Sequence, residues 1–232
     1  MRVSVVMAAY NGEKYIEEQI HSITSQLGAD DELLISDDGS DDDTVTIINK
    51  IKRSDDRIVL LKGPQKGFVK NFEYGLLRAK GEIIFLTDQD DIWIDNKVEK
   101  VLDVFLKNKD VELILHNFSI FNMNEKRLLK TKYLNYHHGF WKNLILSSYY
   151  GCCMAFRRSF RDTALPFPSN TIAHDQYLGL IAEEKRKSYF LNEDLIMHRI
   201  HDSNQSKKIK NSEKLFFRMK VLENFLYYKL SS

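Results

Sequence analysis

The chain opens on an unbroken apolar, β-branched run from Val3 to Ala8, the pattern of a strand buried on both faces. Asn11-Gly12 interrupts it. Ile16, Ile20, Ile23 and Leu27 then recur at three- and four-residue spacing among polar neighbours, up to Gly28, and this stripe predicts an amphipathic helix. Glu32 to Ser36 reads as a second strand that leads into the turn Asp37-Asp38-Gly39-Ser40. Asp41 to Asp43 stand where carboxylates favour a helix start, and Val45, Ile48 and Ile51 mark the inner face of that helix. Arg57 to Leu61 is a third strand, Gly63-Pro64 a break, and Asn71 to Ala79 a helix ended by Gly81. Glu82 to Thr87 is a fourth strand, and it runs into Asp88-Gln89-Asp90-Asp91. This alternation predicts right-handed crossovers and an α/β fold with a mainly parallel, Rossmann-like sheet flanked by helices.

The second half is less regular. A helix is expected from Val98 to Phe105, a strand from Val111 to His116, a strand from Cys152 to Arg157 and a helix from Asp175 to Glu183. Short strands follow at Ser188 to Leu191 and Ile196 to Ile200, whereas residues 118–140 are polar and aromatic without a clear period. The last stretch, 207–232, sets seven lysines and arginines against Glu213 and Glu223. With Leu215, Phe216, Met219, Leu222, Phe225, Leu226 and Tyr228 at roughly helical spacing, it predicts a basic amphipathic C-terminal helix.

Composition narrows the picture. At 232 residues and 43% hydrophobic, the chain buries a core without staples. Its 34 basic and 33 acidic residues leave a formal charge of +1, so no global field points to nucleic acid. Cys152 and Cys153 are neighbours and make no disulfide framework; they read as small buried thiols. No apolar run approaches the ~20 residues of a membrane span. Met1 to Met7 is too short and too soon interrupted for a signal peptide, so a soluble, cytoplasmic chain is expected. The GxGxxG of dinucleotide folds and the GxxxxGK[ST] of P-loops are both missing.

In an open parallel sheet, ligands bind beyond the carboxyl ends of the strands. Three polar clusters fall there: Ala9-Tyr10-Asn11, Asp37-Asp38 and Asp88-Gln89-Asp90-Asp91. Asp88 and Asp90 leave a strand two residues apart and can turn toward one cation; hard oxygen ligands suit Mg2+ or Mn2+ bridging phosphates. The same residues also read as a solvated acidic loop with a helix cap.

Three ordered segments, Val3-Ser4-Val5-Val6-Met7-Ala8-Ala9-Tyr10-Asn11, Ser36-Asp37-Asp38-Gly39-Ser40-Asp41-Asp42 and Thr87-Asp88-Gln89-Asp90-Asp91-Ile92-Trp93, resemble family 2 of the inverting, nucleotide-sugar-dependent glycosyltransferases with the GT-A fold. The likeness covers the first hundred residues and continues more thinly to about residue 205. It implies one domain over 1–206, with a nucleotide-sugar half (1–95), an acceptor-side half (96–206) and the helix 207–232 appended. It implies that Ala8 and Tyr10 line the base pocket and that Asp38 accepts the N3–H of a uracil or thymine, a donor cytosine lacks. Lys70-Asn71 matches a basic residue and asparagine at a helix start, and Lys70 or nearby Lys66 meets the diphosphate. Asp88 faces ribose and metal, and Asp90 binds the metal; Asp91 reads as a structural cap near Trp93.

The resemblance also assigns a base. Inverting transfer needs a carboxylate to take the acceptor hydroxyl's proton, and the family's Glu-Asp pair at a late helix head becomes His174-Asp175 here. Asp175 is therefore the expected base, and it also reads as a helix N-cap. The histidine matches a branch that handles bacterial surface polysaccharide, rhamnosyltransferases among them. His198-Arg199-Ile200-His201 resembles the family's closing segment, with Arg199 placed for phosphate and His201 for the metal or the diphosphate. Trp93, Phe140, Trp141, Tyr149 and Tyr150 are candidates for stacking on sugar, above all within 137–153, where the family places its acceptor loop.

The expected function is metal-dependent transfer of a sugar from a UDP- or dTDP-sugar to a glycan or lipid-linked glycan acceptor. The expected cofactor is Mn2+ or Mg2+. A nucleotidyltransferase and a catalytically degenerate nucleotide-binding scaffold are the rivals; the first would need a basic glycine-rich loop where Tyr10-Asn11-Gly12-Glu13 stands. The basic helix has three readings: a peripheral contact with the inner face of the cell membrane, a packing helix, or a homodimer contact.

Overall fold

Strand β1 (Val3–Ala9) splits its residues by period two. Val3, Val5, Met7 and Ala9 join one buried cluster and Val6 the other. In β2 (Glu32–Asp37) Leu33 and Ile35 oppose Leu34, and in β4 (Ile83–Asp88) Ile83 and Phe85 oppose Ile84 and Leu86. Apolar side chains on both faces require covering layers on both. The first face is covered by α1 (Ile16–Thr24), α2 (Thr44–Lys52) and α4 (Lys97–Lys107), through Ile16, Ile20, Ile48, Val101 and Phe105. The second is covered by α3 (Phe68–Leu76), α6 (Arg158–Ala164), α7 (His174–Glu184) and α8 (Lys214–Ser231), through Phe72, Phe160, Tyr177, Ile181 and Val221. This computed structural model describes residues 1–122, 127–129, 136–201 and 212–231.

The remaining elements are β3 (Ile58–Lys62), β5 (Ile92–Trp93), β6 (Leu113–Asn122), β7 (Arg127–Leu129), α5 (Phe140–Ile145), β8 (Met154–Arg157) and β9 (Ser188–Ile200). The strands form one sheet in the order β3-β2-β1-β4-β8-β6-β9-β5, with β7 on β6. The first four are parallel, β8 runs antiparallel to both its neighbours, and β6 and β9 are parallel to each other. The reversal at β8 has a functional consequence. It brings the segment before β8 to the same edge as the carboxyl ends of β1, β2 and β4, and the ends of β6 and β9 arrive there too.

Several boundaries differ from the pattern reading. Helix α3 starts at Phe68 instead of Asn71 because Gly67, at φ 84°, turns the chain directly into it. Phe68 itself is exposed, so the first turn leaves little trace in the apolar spacing. Gly75 lets α3 lie against β1: a Cβ there would stand 2.6 Å from Val6 Cγ1. Cys152 and Cys153, expected in a strand, form a 3-10 turn (Gly151–Cys153) closed by Cys153 N–H donating to Tyr150 O at 3.0 Å. Both thiols are free and buried.

The two short strands expected after residue 188 are one strand, β9. The polar Asn192-Glu193-Asp194 between them marks a bulge, with register shifts opposite His116 to Ser119. Asn117 Nδ2 donates to Asn192 Oδ1 (3.1 Å), and Ser119 Oγ donates to Asp194 Oδ2 (2.6 Å). These bonds keep the two strands paired where the hydrophobic pattern lapses. Helices α5 and α6, six and seven residues long, are too short to display a helical period. Residues 207–211 of the expected basic helix lie outside the described residues. The helix that follows is apolar on two faces rather than one.

His116 sits fully inside β6, with Nδ1–H placed to donate to Asn117 O at 2.8 Å. Burial, and then the nearby Lys97 charge, hold its pKa well below the ordinary imidazole value. The unfolded chain therefore binds a proton that the folded chain refuses as pH falls through about 6.5. Its stability contribution is complete above that pH and declines below it. The expected outcome is that His116→Leu, although less stable at pH 7.5, loses less melting temperature than the wild type between pH 7.5 and 5.5. Parallel thermal denaturation of the two proteins measures this difference.

Candidate active site

The strand register fixes the rim. Ala8 of β1 lies beside Asp88 of β4, and Ala9 lies beside Asp37 of β2. Asp38 N–H donates to Ala9 O at 2.8 Å. From the far side β9 ends in His198 to Ile200, and β5 is tied to it through Ile92 opposite Met197. Asp175, in the first turn of α7, comes close to the turn before β8: its Cβ lies 3.9 Å from where a Cβ on Gly151 would be. The ends of β1, β2, β4 and β9 and the head of α7, far apart in sequence, thus meet at one edge.

Three carboxylates leave β4 together. Burial, then the charges of Asp91 and Asp90, push Asp88 up to about 8, with the charge of Asp175 adding to the effect and that of His198 opposing it. Asp90 is raised as well, by burial and Asp91, with His201 and His198 pulling the other way. His201 Nε2 lies 3.0 Å from Asp90 Oδ2, and its ring stacks on Tyr15 with centroids 4.5 Å apart. Carboxylates held where ionisation is unfavourable, beside an imidazole, make a donor set that fits a hard divalent cation. Of the residues implied for the metal, Asp90 and His201 are in contact, and Asp88 is near enough to Asp90 to be raised by its charge.

Asp91 is different. It is fully buried, and His198 Nδ1 approaches its Oδ1 at 2.8 Å. Burial opposes charge on His198, but the hydrogen bonds to Asp91 and Cys152 outweigh it and push the imidazole up to about 12. Asp91, Cys152 and His198 hold their ligand atoms within 4.8 Å of one another, a grouping with metal-binding residue types. Here Asp91 and His198 face each other as a buried charged pair. Replacing one partner of such a pair costs about 3–5 kcal/mol. Asp91, read from the sequence as a helix cap, ties the end of β4 to the last strand instead, through His198 Nδ1 and Arg199 N–H.

At the nucleotide end, Tyr10 is exposed, Ala8 is half-buried and Lys66 is exposed. Asp38 accepts the backbone N–H of Lys66 (3.3 Å) and of Gly67 (2.8 Å), and so positions the loop before α3. A carboxylate has about four lone-pair sites, so capacity remains for one further donor. Its neighbour Asp37 is occupied by its own turn, accepting from Gly39 N, Ser40 N and Ser40 Oγ. Asn71 is buried: Nδ2 donates to Ser36 O at 2.6 Å and, more weakly, to Ala9 O at 3.4 Å, while Oδ1 accepts from Ser36 Oγ. It braces the two strand ends from beneath instead of facing a ligand. Lys70 Nζ is 2.6 Å from Glu73 Oε2. Arg199 is buried, its guanidinium paired with Glu18 and set over the Tyr15 ring. Glu18 is largely exposed, so the pair joins a buried guanidinium to a carboxylate at the surface.

At the helix head, Asp175 Oδ1 accepts Gln176 N–H at 2.8 Å, and the residue is half-buried. His174 is buried, stacked on Phe72 at 4.5 Å and flanked by Phe68 and Phe167. Its ring nitrogens have no hydrogen-bond partner among the described residues, and burial lowers its pKa, so the ring is neutral.

Three supports of the rim were not singled out from the sequence. Gln89 clamps Tyr10, accepting from its N–H (2.9 Å) and donating to its carbonyl (2.8 Å). Gln19, buried in α1, donates to Thr87 Oγ1 (2.7 Å) and Asp88 O (2.9 Å). Lys97 is fully buried, with Nζ over the Trp93 ring at 3.9 Å and donating to Cys152 O at 3.2 Å. Burial lowers Lys97 to about 8 against the pull of Cys153, Cys152, Asp91 and Asp88. The signal for the last two was a polar residue inside an apolar helical stripe: Gln19 beside Ile16, Ile20 and Ile23, and Lys97 in line with Val101 and Phe105. Of the proposed sugar-stacking aromatics, Trp93 and Tyr149 are core residues, and Phe140 packs against Phe225. Tyr150 is exposed and close enough to sense the charge of Asp175.

Comparison with known proteins gives the family and the fold. A Haemophilus influenzae glycosyltransferase of undefined activity is 26% identical over 241 residues, covering 97% of this chain and 74% of the relative. The Escherichia coli UDP-Glc:alpha-D-GlcNAc-diphosphoundecaprenol beta-1,3-glucosyltransferase WfgD is 38% identical over 123 residues, 53% of this chain and 47% of the relative. The match to a Nostoc glycosyltransferase spans 40% of its length, so this chain corresponds to only part of several relatives. Among solved structures, S. aureus TarS 1-349 in complex with UDP-GlcNAc superposes with a TM-score of 0.71 at 18% identity, covering 100% of this chain and 73% of that 1–349 chain. The mannosyltransferase PcManGT from Pyrobaculum calidifontis, in complex with GDP-Man and Mn2+, gives 0.67 at 16% identity over 99% of this chain and 74% of its own. These likenesses show the GT-A fold. The glycosyl transferase family 2 model matches residues 4–163, well over half of the 232, and the chain belongs to that family.

Proposed function

We propose that the protein is a metal-dependent, inverting glycosyltransferase that moves a sugar from a UDP- or dTDP-sugar to a glycan or lipid-linked glycan in bacterial surface polysaccharide synthesis. The observation that carries this reading is the rim at which Asp90 meets His201 and at which the charges of Asp90 and Asp175 act on Asp88. The UDP-GlcNAc held by TarS and the UDP-glucose and diphosphoundecaprenol in the name of WfgD support the donor and acceptor classes. The Mn2+ in the PcManGT complex supports the cofactor.

In this reading Ala8 and Tyr10 flank the base, and Asp38 accepts its imide N–H while holding the Lys66-Gly67 loop. Asn71 keeps the two strand ends at their spacing. Lys66, Lys70 and Arg199 face the diphosphate, the last two by exchanging Glu73 and Glu18 for phosphate oxygens. Asp88, Asp90 and His201 would hold a divalent cation, which when bound offsets the negative charge of the departing diphosphate. Asp175 takes the proton of the acceptor hydroxyl as that oxygen attacks the anomeric carbon. The bond from that carbon to the phosphate oxygen breaks, and its electron pair leaves with the diphosphate. Attack and departure on opposite faces invert the configuration.

Two variants test these assignments. Asp175→Asn keeps the hydrogen bond to Gln176 N–H but cannot accept a proton, so transfer falls by at least about 10²-fold while nucleotide affinity stays within twofold or so. Turnover retained in that variant, measured by release of nucleoside diphosphate with acceptor present, removes Asp175 as base. Asp90→Ala should weaken Mn2+-dependent binding of UDP about tenfold or more and leave the weaker metal-free binding in place. Calorimetry with and without Mn2+ measures both; an unchanged metal-dependent increment rules out the metal site.

A further inference from the structure

Helix α8 is apolar on two opposite sides. At about 100° per residue, Phe217, Val221, Phe225 and Tyr228 gather on the side that packs against α5 and α7. Leu215, Phe216, Met219, Leu226, Tyr227 and Leu230 gather nearly opposite, and each is exposed, from 51% for Leu226 to 89% for Leu230. A surface helix finished by water has one apolar stripe and a polar back; here the back is a second stripe. The apolar surface continues onto α5, where Trp141, Ile145 and Leu146 are also exposed. Between the two helices and the end of α7 lies a cavity of about 820 Å3, lined by Phe140, Trp141, Leu222, Phe225 and Leu226. Single exposed apolar residues need no explanation, but a contiguous patch marks a contact.

Its border selects the partner. Lys220 stands along one edge of the outward stripe and Arg218 and Lys229 along the other; Lys214 is exposed at the head of α8, Lys142 is exposed on α5, and Arg186 lines the cavity between them. Against these six cations stand Glu183, Glu184, Glu213 and Glu223. Glu223 and Glu184 are paired with Lys220 and Lys229, which leaves Lys142, Arg186, Lys214 and Arg218 without a carboxylate at ion-pair distance among the described residues. An apolar stripe with aromatic residues, rimmed by unneutralised cations, is complementary to anionic headgroups over acyl chains. A second copy fits less well, since two-fold apposition would set this cationic border against itself. No described helix is long and apolar enough to cross a membrane, so the contact is with a surface.

We propose that the outward face of α8, extended by α5, is a docking surface for an anionic lipid bilayer. The stripe enters the headgroup region, and the cations meet phosphate oxygens at its margin. The contact is independent of which sugar is moved, so it stands or falls apart from the transfer chemistry.

Co-sedimentation of the whole protein with vesicles tests this, using phosphatidylglycerol mixed with phosphatidylcholine and phosphatidylcholine alone. The wild type should bind the mixed vesicles and bind phosphatidylcholine alone at least about tenfold more weakly. Phe216→Glu with Leu226→Glu replaces two exposed side chains and should reduce binding to the mixed vesicles at least about tenfold, with unchanged melting temperature. Lys214→Glu with Arg218→Glu, which keeps the apolar stripe, should do the same. No binding by the wild type, or binding unaltered by both pairs of substitutions, overturns the proposal. So does a wild-type dimer in analytical ultracentrifugation that Phe216→Glu with Leu226→Glu disperses while no vesicle binding is found, which would make the face an interface between copies.

Discussion

Carboxylates packed side by side in a half-buried place remain ionised only where positive charge stands against them, and the architecture of this protein at its rim follows from that constraint. Asp88, Asp90 and Asp91 leave one strand within four residues. Each has a different solution. Asp91 faces inward and is matched by a protonated His198, with the buried ammonium of Lys97 close behind. Asp90 is met by His201. Among the described residues Asp88 has no such partner in a hydrogen bond, and burial, then the charges of Asp91 and Asp90, raise it to about 8.

The first four strands and their helices were legible because each carries its own signal. β1, β2 and β4 are apolar on both sides, and α1 and α2 show a clean stripe. The ends of those strands were legible for the same reason: once the apolar run stops, Asp38 and Asp88 must lie at the carboxyl edge. The second half hid more. A 13-residue strand with a polar bulge reads as two pieces, because Asn192 and Asp194 satisfy side chains of β6 and not the core. Helices of six or seven residues leave no period to detect. Nor could pattern alone tell which polar residues face the ligand and which hold the residues that do. Asn71, matched by the resemblance to a helix start, is buried and bonded to two strand ends; Lys97 and Gln19 both sit in apolar stripes where a polar residue has to be explained.

The same distinction separates the two faces of α8. Periodicity in a sequence reports where apolar residues fall on a helix, and it assumes that one side is wet. When apolar residues occupy both sides, the moment of the pattern is small and the segment reads only as a helix with lysines. Structure assigns Val221, Phe225 and Tyr228 to the interior, and by subtraction the remaining apolar residues need another solvent. Packing and surface contact were rival readings of the sequence; the arrangement of side chains leaves room for both at once.

The head of α7 carries the last consequence of the charge constraint. The family resemblance leads one to expect two acidic residues there, and two would add a further negative charge beside an aspartate already raised by its neighbours. In this chain the first of the pair is His174, seated between Phe68, Phe72 and Phe167 and kept neutral by burial. The aromatic cage fixes the start of the helix without contributing charge, and Asp175 is the one carboxylate presented by that turn. Its charge already acts on Asp88; a second at position 174 would increase the cost of keeping Asp88 ionised. Replacing the acidic residue by a buried neutral ring therefore relieves the rim on the side opposite to His198 and His201, and it does so through packing instead of a counter-ion.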